Sequence, residues 1–306
     1  MAFLLLKFAY QDFIDEKQFN NVTEKTLKNY EQTLSRFIEH CHNDKVLNVN
    51  EVTKGTVKSF LREEQLSGNM PGTINTKIMR INAFFNYLVN EEIIKISPSR
   101  GIKRQATDTQ IEVFNDEQIS QMLRYYRRIK HRDKAYFAYR DYMMILFLLG
   151  TGARRGEIVN LQWNHVDLVN NTVSLVGKNR MLETIPITQR LVDELLNYKE
   201  FCSQYFGQVG SHVFVGIKNK PMSTNAITQI FKNLGQVMDF KGVRVSCHTF
   251  RHTFCHRLCV SGASTFAIQK LMRHRTLAVT AKYVAMWGEE LRGENDKHNP
   301  LNRLEF

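Results

Sequence analysis

Cysteine is scarce in this 306-residue chain, and its count is odd: Cys41, Cys202, Cys247, Cys255 and Cys259. Five thiols at irregular spacing make no disulfide framework, so reduced cysteines and a cytoplasmic, nucleoid-associated location are expected. Long apolar runs are missing as well. The apolar stretch at residues 2–6 stops at Lys7 and is soon followed by Asp12, Asp15 and Glu16. It is too short for a signal segment and has no cleavage pattern. No stretch approaches the ~20 residues needed to span a bilayer, so no membrane partner is expected. Acidic residues are outnumbered, 30 against 42 Lys and Arg, for a net charge of +12. That excess points to a polyanion, nucleic acid first, although a basic enzyme without such a partner has the same charge. Internal repeats and low-complexity tracts are absent. Hydrophobic content of 43% and charged content of 24% argue against wholesale disorder.

What is present begins with helices. One is expected over residues 5–17. Leu27, Tyr30, Leu34, Phe37 and Ile38 recur at helical spacing behind Thr23, a capping residue type. Thr53 is placed to cap a helix bearing Val57, Phe60 and Leu61, with Val52 and Val57 as its hydrophobic staple. Pro71-Gly72 reads as a turn. After it, Thr73 opens a helix with Ile78, Ile81, Phe85 and Leu88 on one face and Lys77 and Arg80 elsewhere. Residues 1–99 therefore read as all-α. A polar, basic, aperiodic stretch gives a linker over 100–112. Asn115 and Gln118 then have capping-box spacing. Two helices follow, the second nearly all apolar over 142–149. Residues 166–169, 172–176 and 184–187 alternate as short antiparallel strands joined by turns. Helices resume over 191–201, 224–234, 249–260 and 265–272. The fold class is mainly α with a small antiparallel β-sheet, in two domains, the second spanning 113–285 before a tail over 286–306.

Five segments carry chemistry: Thr151-Gly152-Ala153-Arg154-Arg155-Gly156-Glu157, Gly177-Lys178, His248-Thr249-Phe250-Arg251, Met272-Arg273-His274, and Tyr283 nine positions after His274. Guanidinium groups suit bidentate phosphate contact. His248 and Arg251, three apart, share a helix face. Taken singly, each has a plain alternative: a capping arginine, a solvated hairpin lysine, a surface histidine, a packed tyrosine. His248, His252, Cys255, His256 and Cys259 lie close together, but no His-Glu-x-x-His or Cys-x-x-Cys pattern accompanies them, and no metal site is expected.

Order and spacing together are more specific. The series Arg154, Lys178, His248-x-x-Arg251, His274, Tyr283, with Gly262, Ile268-Gln269 and Thr280 between, resembles the tyrosine recombinase (phage-integrase) family. The resemblance runs from about Lys7 to beyond Tyr283. It implies an all-α core-binding domain and a catalytic domain that form a C-shaped clamp on duplex DNA. Carried over by position, Arg154 and Arg251 would hold the non-bridging oxygens of the scissile phosphate. His248 and His274 would hydrogen-bond it, with His248 the candidate for proton exchange with the tyrosine. Lys178 would protonate the leaving 5′-oxygen, Glu157 would buttress the site, and Tyr283 would form a 3′-phosphotyrosyl bond. Clustered cations and a positioned base would activate the phenol, whose ordinary pKa is about 10. No cofactor and no divalent cation are implied.

The family pattern is broken at three places. Arg155 stands where an apolar residue is usual, Met272-Arg273 where Leu-Gly is usual, and Val284-Ala285-Met286 where a Thr-His pair often follows. Arg155 and Arg273 are expected to add DNA contacts. So are Lys77 and Arg80 in the first domain and Asn225, Gln229 and Lys232 on one helix, where Asn and Gln suit adenine. The resemblance implies inverted-repeat half-sites on double-stranded DNA, a homotetramer on two sites, a Holliday junction, and room for an accessory DNA-bending protein. Little sequence precedes the first helices, so no arm-binding domain is expected. The tail would dock on a neighbouring protomer through Leu301, Leu304 and Phe306. A mobile-element recombinase is the leading expectation and a Xer-like dimer resolvase the next. A catalytically silent DNA-binding module and a type IB topoisomerase are the rivals from other classes.

Overall fold

Four amphipathic helices shape the first part of the chain: α1 (Leu6–Phe19), α2 (Glu24–Asn43), α3 (Lys54–Leu66) and α4 (Pro71–Asn90). The computed structural model describes residues 4–107, 111–133, 136–177 and 181–287. The chain divides into two units, Met1–Thr109 and Gln110–Phe306. In the first, Thr23 and Thr53 cap α2 and α3 through the N–H groups of Thr26 and Thr56. Val52 and Val57 are both buried, as a staple requires. Phe13, Phe37, Phe60, Phe84 and Phe85 meet largely edge-to-face, with centroids such as Phe37–Phe60 at 5.4 Å.

Two details differ from the sequence reading. Pro71-Gly72 is not a turn before α4 but its first turn, with Met70 as N-cap. Proline has no N–H to lose at the first helical position. Residues 100–105, expected within a linker, pack with the first unit. The Asn75 side chain donates to Gln105 O at 2.9 Å and accepts from Gln105 N at 2.8 Å, as a paired strand would.

The second unit opens with the expected reciprocal cap between Asn115 and Gln118. Then come α5 (Asp116–Asp133) and α6 (Tyr136–Thr151). Tyr139, Met143, Phe147 and Leu148 of α6 are buried, because the helix is apolar on nearly every side. The short α7 (Arg155–Val159) leads to the sheet β1 (Val166–Asp167), β2 (Thr172–Val176) and β3 (Leu182–Pro186), antiparallel in the order β1-β2-β3. Val173 pairs with both Val166 and Ile185, and its buried side chain joins the sheet to the core. Next are α8 (Gln189–Phe206), α9 (Thr224–Met238), α10 (Cys247–Val260), α11 (Thr265–Met272) and α12 (Leu277–Trp287). α12 was not expected. α6 packs against α5, α8 and α10, while α10, α11 and α12 pack on one another. Cys255, Cys259, Ile268, Met272 and Tyr283 form a separate small core there. Among the described residues, no helix is long and apolar enough to cross a membrane. The fold is the expected one, mainly helical with a small three-stranded antiparallel sheet.

Candidate active site

Arg154 is the N-cap of α7, and Glu157 stands at its third helical position. The Glu157 carboxylate reaches back to the Arg154 N–H (2.8 Å) and pairs with the Arg154 guanidinium (2.6 Å). One acidic side chain thus caps the helix and fixes the arginine. Gly152 just before it has φ +57°, and a Cβ there would strike the Phe254 ring. Glycine is required at that position by backbone conformation and by close approach. The Gly152 carbonyl accepts from Arg251 at 2.6 Å, and Arg251 also donates to Met272 O. Arg154 in turn donates to Arg273 O at 2.6 Å. Two arginines from distant segments are therefore held by the backbone of the turn that ends α11.

Tyr283 comes to the same place on α12. Its hydroxyl lies 3.0 Å from His252 Nδ1. Its ring stacks on His274 at 5.7 Å and 15°. Thr280, one turn earlier on α12 and fully buried, bonds His274 Nδ1 at 2.9 Å and fixes that ring. His248 touches the His252 ring edge-on at 4.0 Å. The sequence reading named His248 as the partner of the phenol. The structure instead gives that contact to His252, one helical turn further along α10. The signal was the four-residue spacing from His248, which puts both rings on one face.

Electrostatics favour an anion here. Burial, then Arg154 and Arg273, push Arg251 down to about 10, so it stays charged at neutral pH. His274 is pushed down to about 4 by burial, then by Arg251, Arg154 and Arg273. His252 falls to about 4 by burial, then by His248 and Arg251. Both rings are neutral at pH 7. Burial also raises the Tyr283 phenol, Cys255 adds to the rise, and Arg251 and Arg154 only partly oppose it. The expected activation of the phenol by clustered cations is outweighed by its burial. Burial would likewise raise Glu157, but Arg273 and the contacts to Arg154 hold it below the usual carboxylate value.

Other predicted residues separate into groups. Arg155 and Lys232 line a cavity of about 830 Å³ beside Arg154, His248 and Arg251. Arg155 donates to Thr228 on α9 at 2.6 Å. Asn225 and Gln229 are exposed on the same helix, with Gln229 bonded to Asn233 at 2.7 Å. Arg273 does not join that surface. Its side chain is 1% exposed and turned inward onto Glu157 at 3.0 Å, because the αL backbone of the α11 cap directs it there. Lys77 is buried against Glu64 inside the first unit, and Arg80 donates to Thr33 at 2.8 Å. Lys77 is therefore not a DNA-facing lysine: its ammonium is neutralised within the core. Lys178 and the tail beyond Trp287 lie outside the described residues.

The chain resembles known proteins over nearly all its length. Residues 112–289 match the phage integrase family, and residues 9–95 match the phage integrase N-terminal SAM-like domain. Tyrosine recombinase XerC of Actinobacillus succinogenes is 24% identical over 292 residues, which is 95% of this chain and 96% of XerC. The Tn1549 transposon integrase in complex with transposon right end DNA has the same fold, with a TM-score of 0.73 at 17% identity over 92% of this chain and 94% of that one. A lambda integrase tetramer bound to a Holliday junction gives 0.72 at 12% identity over 92% of this chain and 78% of that one. With both segments matched and the arginines, histidines and tyrosine gathered at one site, the chain belongs to the phage integrase family and is a tyrosine site-specific recombinase that breaks and rejoins DNA.

Proposed function

We propose that Tyr283 attacks the scissile phosphate, forming a 3′-phosphotyrosyl bond as the bond to the 5′-oxygen breaks. The observation that carries this is the hydroxyl of Tyr283, bonded to His252 and within reach of the charges of Arg251 and Arg154. His252, in the tautomer protonated at Nε2, accepts the phenol proton at Nδ1. Arg154 and Arg251 take the non-bridging oxygens and stabilise the charge of the pentacoordinate transition state. His248 and His274 hydrogen-bond the same phosphate. Lys178, between β2 and β3 in the chain, protonates the departing 5′-oxygen. Rejoining reverses the step, so the phosphodiester energy stays in the phosphotyrosine and no nucleotide is consumed.

The protein acts as a tetramer on two DNA sites through a Holliday junction, integrating, excising or resolving a bacterial mobile element. Support comes from the shared fold of the Tn1549 integrase, solved with transposon right end DNA, and of the lambda integrase tetramer, solved on a Holliday junction. Resolution of chromosome or plasmid dimers is the second reading, favoured by the full-length match to XerC. A supercoiled plasmid carrying both flanks of the gene distinguishes them. An excised circle with a sealed junction supports the mobile-element role. Resolution of plasmid dimers without excision supports the second reading. Neither product rejects both.

A further inference from the structure

Arg273 occupies a costly position. Its backbone is left-handed (φ +52°, ψ +48°), a conformation that disfavours any side chain relative to glycine. Its guanidinium is 1% exposed, and burial penalises its charge. Two such costs persist only where the surroundings repay them. The contacts show how. Nη1 donates to Leu271 O at 2.6 Å and Thr151 O at 3.3 Å. Nη2 donates to Gly152 O at 3.2 Å and to the Glu157 carboxylate at 3.0 Å.

Both contacts of Nη2 bear on the phosphate-holding arginines. Gly152 O is the acceptor of Arg251, and Glu157 is the partner of Arg154. The backbone carbonyl of Arg273 accepts from Arg154, and that of its neighbour Met272 accepts from Arg251. One side chain therefore pins the turn that ends α11 to the loop that precedes α7, and both arginines hang from the joint. It also shares the single Glu157 charge, so that carboxylate does not neutralise Arg154 alone.

We infer that Arg273 is a positioning residue that sets the geometry and net charge of Arg154 and Arg251, rather than a DNA contact. The inference rests on the reading of those two arginines as the groups that hold the scissile phosphate. A small misplacement of such groups costs on the order of 10–100-fold in rate.

The test uses the full chain and a nicked duplex from the DNA flanking its own gene, with covalent adduct formation as the readout. Once the wild-type adduct locates the scissile phosphate, a second duplex carries a methylphosphonate there. That group lacks the charge the arginines neutralise. Arg273→Gly, which suits the left-handed backbone, is expected to bind DNA normally yet form adduct about 10–100-fold more slowly on phosphate. The deficit should shrink to about three-fold or less on methylphosphonate, since less charge needs stabilising. Arg273→Lys keeps the charge without the planar fork and should behave the same way. It is also the variant read if Arg273→Gly does not fold. Wild-type rates on phosphate, or equal losses on both substrates, overturn the positioning role. Absence of adduct from the wild-type chain overturns the recombinase reading beneath it.

Discussion

The Tyr283 hydroxyl and His252 Nδ1 stand 3.0 Å apart, joining α12 to the helix that carries Arg251. This bond puts a neutral imidazole where a base for the phenol belongs. His252→Ala should leave DNA affinity unchanged and slow covalent adduct formation by about 10²-fold or more, the usual contribution of a positioned proton acceptor. His248→Ala should also slow it, through the phosphate rather than the phenol. Burst measurements on nicked DNA across pH 6 to 9 separate the two. Loss of the His252 variant should shrink as pH rises, because the small ionised fraction of the phenol, whose pKa lies above the ordinary value, grows about tenfold per pH unit. A pH-independent loss would contradict proton acceptance by His252.

Histidine burial gives a stability prediction with a definite sign. His252 and His274 have folded pKa values of about 4 against an ordinary 6.5. Between those values the unfolded chain binds protons that the folded chain refuses. Their contribution to stability is therefore full above pH 6.5 and lost as pH falls towards 4. Urea denaturation at pH 7.5 and pH 5 should show the wild type losing more stability than a His252→Gln, His274→Gln double variant. Equal losses would mean that the two rings are not buried as described.

Lys77 offers a contrast between a structural and a DNA-contacting cation. It is buried with Glu64, which also pairs with Arg36 at 3.0 Å. Lys77→Ala should destabilise the protein by about 1–3 kcal/mol, because the buried Glu64 carboxylate loses one charged partner and keeps only Arg36 and Asn69. The salt dependence of DNA binding should not change. If Lys77 met a phosphate, the slope of log affinity against log salt would fall by about 0.9.

Much of this was legible from sequence, and the failures have physical reasons. Thr23, Thr53 and Asn115 announced their helices because capping depends on local side-chain chemistry. The strands around residues 166–187 were found by alternation, and their ends shifted by one to two residues. Spacing named Tyr283 but did not place it on a helix; Thr276, a capping residue type directly before Leu277, was the local signal for one. Lys77 and Arg273 are cations, and composition alone puts cations on the DNA face. Their burial depends on acceptors far along the chain, such as Glu64 thirteen residues away and Glu157 more than a hundred residues from Arg273. His252 was passed over for the same reason: its partner lies 31 residues on, at Tyr283.

The most direct test of the account is the identity of the covalent bond. The wild-type chain is incubated with a nicked duplex from the DNA flanking its gene, and detergent-resistant adducts are digested and mapped by mass spectrometry. The account predicts a nucleotide on the Tyr283 peptide through its 3′-phosphate, and no adduct from Tyr283→Phe despite unchanged DNA affinity. An adduct on another residue, or one that survives in Tyr283→Phe, would contradict it.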